Sequence, residues 1–239
     1  MSIGTRSYAR PYGSRGGLPQ GIQALLIINA AIFLIDFFSR GFFSFLALTP
    51  SEVVRSRHVW QLATFLFLHG GIWNFLWNML ALWMFGKELE EIWGTQRFLR
   101  FYFLCGCGAG VCVVLAAYAL GSPNVPVIGS NGSIYGILAA SAALWPEREV
   151  LFIFFPMKMK YFVILIGAID FLISYNGGIG QMALLTGLLF GLLYVKSPRV
   201  RGFDPLASIQ STYRAWKLKR AKRKFQVYLR KHGSDRDVN

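Results

Sequence analysis

Gly129-Ser130-Asn131-Gly132-Ser133-Ile134-Tyr135-Gly136 opens an apolar run that continues to Trp145, where Pro146 stops it. Gly132, Gly136 and Ala140 recur every four residues, so they stack on one helical face and let another backbone come close. Ser130, Asn131 and Ser133 place polar atoms at the head of the same run. Small polar groups carried into a bilayer are costly unless they face protein or a cavity and have a task there. The stretch therefore predicts a membrane-embedded helix, about Ile128 to Trp145, around which the remaining spans are arranged.

Working outward, the composition supports a polytopic membrane protein. The 239 residues are 54% hydrophobic and carry a net charge of +14, with a mean hydropathy of +0.45. Charge on that scale beside long apolar runs must be segregated from them, which gives basic ends on a hydrophobic body. Cys105, Cys107 and Cys112 fall within one apolar segment, where they read as small packing residues rather than a disulfide framework or a zinc ribbon. No cofactor and no metal site is expected. The first apolar run follows Arg6, Arg10 and Arg15 and lacks a small-residue cleavage site, so it reads as a retained signal anchor.

Six spans are expected, at about Gly21–Phe38, Gly70–Phe85, Arg97–Leu120, Ile128–Trp145, Tyr161–Ile173 and Ile179–Val195. Asn29 lies deep in the first span and needs a neighbouring helix, whereas Asp36 sits near an end where charge reaches water. Between Ser39 and Arg57 the pattern predicts a folded loop with a short interfacial helix, capped by Thr49 or Ser51 before Glu52. Lys87 to Gly94 reads as a compact charged loop. Gly106 and Gly110 form a G-x-x-x-G face, and Ala183, Gly187 and Gly191 repeat the four-residue spacing on the last span. Leu151 to Phe155 is too short to span and reads as an in-plane aromatic segment, stopped by Pro156 and anchored by Lys158 and Lys160. Asp170, near the far end of the fifth span, faces water or its neighbours, with a proton-linked role as the sharper alternative.

Charge sets the orientation. From Lys196 onward the tail holds 13 of the 25 Lys and Arg, while the turns at 121–127 and 174–180 hold none, so both termini are expected in the cytoplasm. The organisation is then a flexible basic segment over 1–20, a six-helix membrane domain over 21–195 and a basic cytoplasmic tail over 196–239. The tail's Arg214 to Phe225 stretch suits anionic lipid, at about 1 kcal/mol per basic residue near the surface, and nucleic acid is the less favoured partner.

Taken together, the motifs resemble the rhomboid intramembrane serine proteases. The similarity runs from Trp60 to Gly191 and rests on order and spacing: Phe67-Leu68-His69-Gly70-Gly71, then Asn78-Met79, then Gly86 to Trp93-Gly94, then Gly129 to Gly136, then Ala183-Leu184-Leu185-Thr186-Gly187-Leu188-Leu189-Phe190-Gly191. The resemblance implies an all-α, six-helix rhomboid-like bundle. Carried over by position, it puts the serine nucleophile at Asn131, the general-base histidine at Leu184, and the histidine and asparagine of the oxyanion site at Asn74 and Asn78. Gln181 stands where many relatives carry another histidine.

A carboxamide is no activated hydroxyl, and a leucine accepts no proton. In a serine protease the loss of either member costs about a million-fold in turnover. Ser130 and Ser133 flank the position but point roughly a hundred degrees away on a helix, and neither has a base. The histidines are His58, His69 and His232, and no H-E-x-x-H is present. The resemblance thus implies a pseudoprotease that binds or escorts transmembrane segments, as inactive relatives such as the derlins and iRhoms do. The alternative is an intramembrane serine endopeptidase acting on transmembrane substrates, and a transporter ranks third because no inverted repeat is evident. Asn74, Asn78, Asn131, Gln181 and Thr186 are expected either to plug the former catalytic cavity with hydrogen bonds or to line it for a client helix. Gly132, Gly136, Gly187 and Gly191 are the expected helix-packing residues, and a bacterial-type plasma membrane is the expected location.

Overall fold

The computed structural model describes residues 17–39, 45–152, 155–173 and 178–197. The arginine-bearing N-terminal stretch, the middle of the 39–57 loop at 40–44, the turn at 174–177 and the basic tail beyond 197 lie outside the described residues, as do the roles expected of them. Leucine, isoleucine and alanine dominate α1 (Gln20–Phe38), whose first turn has no side-chain cap of its own. Its leading amides are met instead by a carboxylate from far along the chain: Gly21 N and Ile22 N donate to Glu90 Oε1 and Oε2 at 2.8 and 2.7 Å. A negative charge at a helix N-terminus also complements the helix dipole. Thr95 Oγ1 donates to the same carboxylate at 2.6 Å. Gly21 keeps this contact close, since a Cβ there would fall 3.0 Å from the Glu90 oxygens.

The chain then forms α2 (Pro50–Arg55), α3 (Gln61–Thr64) and a 3-10 turn at Phe65–Phe67. Thr49 does precede α2 but makes no side-chain cap. Its backbone N–H donates to Gln61 Oε1, and Gln61 in turn donates to Glu52, so the polar groups of this loop satisfy one another. A bend of 97° separates this segment from the helix that follows. That helix runs unbroken as α4 (Ile72–Ala81), a π-helical stretch (Leu82–Gly86) and α5 (Lys87–Trp93). The charged loop expected at Lys87 to Gly94 is therefore helical through Trp93. Lys87 and Glu91 pair at i,i+4, and burial of Leu89 and Glu90 fixes one face against the bundle. Gly94, at φ +81°, supplies the left-handed residue that starts α6 (Thr95–Ala119).

α7 (Asn131–Leu144) is buried along nearly its whole length, from Gly132 through Ser141. It packs against α6 and α9 (Gly180–Lys196), which also pack on each other. Between α7 and α8 (Met159–Ile173) the chain makes an antiparallel hairpin, β1 (Glu149–Phe152) with β2 (Phe155–Lys158), in register Glu149 to Lys158. The described ends of the in-plane segment expected at Leu151 to Phe155, Leu151–Phe152 and Phe155, are thus paired strand residues, with valine and phenylalanine suited to strands and Glu147 pairing with Lys158 and Lys160 beside them.

By length and composition α1 and α6 can cross a membrane, and the bent pair Gln61–Phe67 with Ile72–Trp93 adds a third crossing if it acts as one span. α7, α8 and α9 are shorter, at 14, 15 and 17 residues. Asn29 is fully buried, as its depth in the span requires: its Nδ2 donates to Leu25 O of its own helix at 2.7 Å, and its side chain also meets Tyr102 of α6.

Candidate functional site

Asn131 is the first residue of α7, and two backbone contacts place it there. Leu48 and Val127 exchange N–H···O bonds of 2.9 and 2.8 Å, and Gly129 N donates to Phe65 O at 3.0 Å. With φ at +113°, Gly129 turns the chain sharply into the helix, a conformation that side-chain-bearing residues rarely adopt. The residue two positions on then opens α7 facing Asn78 of α4.

Across from it, α4 contributes two amides one turn apart. Asn78 Nδ2 donates to Asn74 Oδ1 and to Asn131 Oδ1, both at 3.4 Å. Three carboxamides are therefore brought together, with Asn78 buried, Asn131 half-buried and Asn74 exposed. Bonds of that length are weak, and the cluster keeps unused donors and acceptors. Thr186 does not join it, because Thr186 Oγ1 donates to the carbonyls of Met182 and Ala183 on its own helix. Gln181 lies in the first turn of α9.

Leu184 is 3% exposed and belongs to the apolar core. Ser130 and Ser133 are fully buried. Ser133 Oγ donates to Tyr102 O at 2.8 Å, which ties α7 to α6 and directs that hydroxyl away from the amides. No histidine touches the three-amide cluster among the described residues, since His58 bonds Glu52 and His69 packs on Phe33 and Phe75. Carboxamides in this arrangement can hydrogen-bond a peptide backbone.

The glycines expected at helix contacts lie at three interfaces. A Cβ added to Gly187 would fall 2.2 Å from the Gly132 carbonyl oxygen, and one added to Gly191 would fall 2.5 Å from that of Gly136. On the other side of α7, a Cβ on Gly132 would meet Ala109 Cβ at 2.5 Å and one on Gly136 would meet Cys105 Sγ at 2.7 Å. Cys105 is thus a packing residue of α6. Gly106 faces Ser133 and Leu66, while Gly110 faces Phe65 and Leu48.

Two long-range contacts escape a reading of the sequence. Tyr135 OH donates to Asp170 Oδ2 at 2.9 Å, bridging α7 and α8 one helical turn below Asn131. The signal was present, because Asp170 is the one charge in its apolar run, but nothing in the spacing named its partner. Glu90, a member of a charged cluster, gave no hint that it alone turns inward.

Against known proteins, the Rhomboid domain model matches residues 56–197. The chain belongs to the rhomboid family. Rhomboid-like protein 19 of Arabidopsis thaliana is 24% identical over 187 residues, covering 75% of this chain and 60% of that protein. Rhomboid protein 1, mitochondrial, of Saccharomyces cerevisiae is 26% identical over 140 residues, covering 54% of this chain and 38% of the relative. Rhomboid protease GluP of Bacillus subtilis is 38% identical over 81 residues, 34% of this chain and 15% of that protein. This rhomboid-family chain therefore spans less than two thirds of the length of these relatives. It is an integral membrane protein with a helical rhomboid domain.

Proposed function

We propose that this rhomboid-family chain is a non-catalytic pseudoprotease that binds or escorts transmembrane segments. The observation that carries the reading is the pairing of Asn131, at the family's nucleophile position, with a core-buried Leu184 at the position of its base. Asn74 and Asn78 then occupy the oxyanion site without an oxyanion to stabilise, and their spare donors and acceptors serve the exposed backbone of a client helix. The same reading takes the chain as six spans over 21–195, with both termini cytoplasmic, in a bacterial-type plasma membrane. Residues 1–20 and 196–239 then lie on the cytoplasmic side, the latter against anionic lipid.

The experiment is a cleavage and trapping assay in lipid. Purified protein should neither cut a helix-destabilised transmembrane substrate nor react with a serine-directed phosphonate, while still co-purifying with that substrate. The rival reading, an intramembrane serine endopeptidase, is favoured by the name of the Bacillus subtilis relative. It predicts cleavage that Ser130→Ala or Ser133→Ala abolishes. For the topology, cysteines at positions 124 and 176 should label from outside, and one at 234 only after permeabilisation. The reverse pattern would sink the six-span arrangement.

A further inference from the structure

A cavity of about 720 Å³ lies between the C-terminal turn of α1 and the turn leading into α4, lined by Phe33, Asp36, Phe37, His69, Ile72 and Ile128. It shares no lining residue with the Asn74, Asn78 and Asn131 cluster. Two polar side chains in its wall are unsatisfied. Among the described residues, Oδ1 of the half-buried Asp36 is shielded from water without a hydrogen bond, and neither ring nitrogen of His69, a residue only 4% exposed, meets a partner at full hydrogen-bond geometry, although the Phe67 backbone interacts with the ring. Buried polar atoms are nearly always paired, and each unpaired one costs about 1–3 kcal/mol, so orphans converging on one cavity point to a ligand.

Packing holds the imidazole in place without using its nitrogens. The His69 ring meets Phe75 edge-on at 5.2 Å and Phe33 at 6.4 Å, and those two phenyl rings stack on each other at 4.4 Å. The remaining wall is the apolar Phe37, Ile72 and Ile128 together with Gly70 and Gly71.

Depth in the bilayer selects the ligand. The 19 residues of α1 rise about 28 Å, close to the thickness of the hydrocarbon core. Asp36 stands two residues from the end of that helix, where Phe37 and Phe38 are exposed, so the cavity opens at headgroup level. A carboxylate there takes a cation with N–H groups to donate, and a neutral imidazole offers one N–H and one acceptor. An ammonium two carbons from a phosphate satisfies both: the ammonium donates to Asp36 and the phosphate accepts from His69. Phe33, Phe37, Ile72 and Ile128 then flank the apolar stem. A choline headgroup has no N–H and would leave Asp36 unpaired. We propose that this cavity binds the phosphoethanolamine headgroup of a membrane phospholipid.

The test is native mass spectrometry of the full chain in detergent with an equimolar mixture of phosphatidylethanolamine and phosphatidylcholine of identical acyl chains. The expected result is several-fold preferential retention of the ethanolamine lipid, which Asp36→Asn and His69→Phe each reduce to parity. Ile128→Trp, which fills the cavity from its apolar wall and leaves both polar groups intact, should abolish retention of that lipid and decides the matter if a polar variant does not fold. Equal retention of the two lipids by the unaltered protein, or a preference that survives Ile128→Trp, overturns the proposal. A third arm adds soluble phosphoethanolamine: failure to displace the lipid at equal concentration is expected, whereas displacement would make a water-soluble ester the ligand and the lipid assignment wrong.

Discussion

Gly187 and Gly132 leave no room for a methyl group between them: a Cβ on Gly187 would sit 2.2 Å from the Gly132 carbonyl oxygen. The obstacle is backbone, which cannot swing aside as a side-chain tip can. Gly187→Ala should therefore force α9 off α7 and destabilise the bundle by about 1–3 kcal/mol, with Gly187→Leu preventing folding. Gly167→Ala on α8 is the control, since its Cβ would meet only Tyr135 Cε1 at 3.9 Å and Leu188 Cδ1 at 4.0 Å. Thermal unfolding in a mild detergent reads both, and a silent Gly187→Ala would mean the two helices do not meet as described.

Glu90 ties α1 to the rest of the domain through two backbone amides and Thr95. Glu90→Ala leaves two amides at the head of α1 without their acceptor and should cost on the order of 3 kcal/mol. Glu90→Gln is the sharper variant, because it turns an NH₂ group toward one of the two amides and can accept from only the other. Loss of protection at the first turn of α1 by hydrogen exchange, ahead of α7, is the expected signature. Uniform loss across the bundle would assign Glu90 a different role.

Outside the membrane, Glu147 is exposed yet held by Lys158 Nζ at 2.7 Å and by Lys160. Hydrogen bonds from these two ammonium groups lower its carboxyl from the ordinary 4.5 to about 2. A depressed carboxylate stabilises the folded hairpin above the unfolded value, and this contribution is lost as the pH falls from about 4.5 toward about 2. A carboxyl chemical-shift titration should place Glu147 near the lower value, and Lys158→Ala with Lys160→Ala should return it toward the ordinary one. High salt should weaken the effect, as exposed pairs are screened. A midpoint indifferent to both lysines would refute the cause.

The Tyr135–Asp170 bond joins α7 to α8 within the bundle. Interhelical hydrogen bonds in membranes couple by about 0.6 kcal/mol on average and up to about 1.7. A double-mutant cycle with Tyr135→Phe and Asp170→Asn should return a coupling in that range, and a coupling near zero would show that each side chain is held by other neighbours.

How far the sequence could be read depended on the range of the cause. Periodic apolar runs and four-residue small-residue stripes are local patterns, so α1, α6 and α9 were legible to within about two residues, and so was the family through motif order. The helix at Lys87 to Trp93 was not, because its charges suggest a loop until Leu89 and Glu90 are seen to face the bundle. Nor was the hairpin at Glu149 to Lys158, whose stability comes from cross-strand pairing and from salt links to Glu147. Thr186 was grouped with the amides by position, yet a mid-helix threonine can satisfy its hydroxyl on its own preceding turn. Glu90 with Gly21, and Tyr135 with Asp170, pair residues 69 and 35 positions apart. No spacing rule reaches that far.

The last prediction separates lost chemistry from a lost cavity. Asn131→Ser alone should fold and remain inert, because Leu184 offers no base to the new hydroxyl. Leu184→His alone places an imidazole among core residues with no hydroxyl to activate, and it should lower stability by burying a polar ring. Together they recreate a serine and a base beside Asn78, which already lies within 3.4 Å of the Asn131 side chain and can donate to a developing oxyanion. Slow phosphonate labelling of the double variant, absent from either single one, is the expected outcome, and Asn78→Ala should reduce that labelling by roughly a hundred-fold or more if that donor is used. A double variant that folds yet stays unlabelled would show that the space between α4, α7 and α9 no longer admits a substrate. The binding role would then have to move to another face of the bundle.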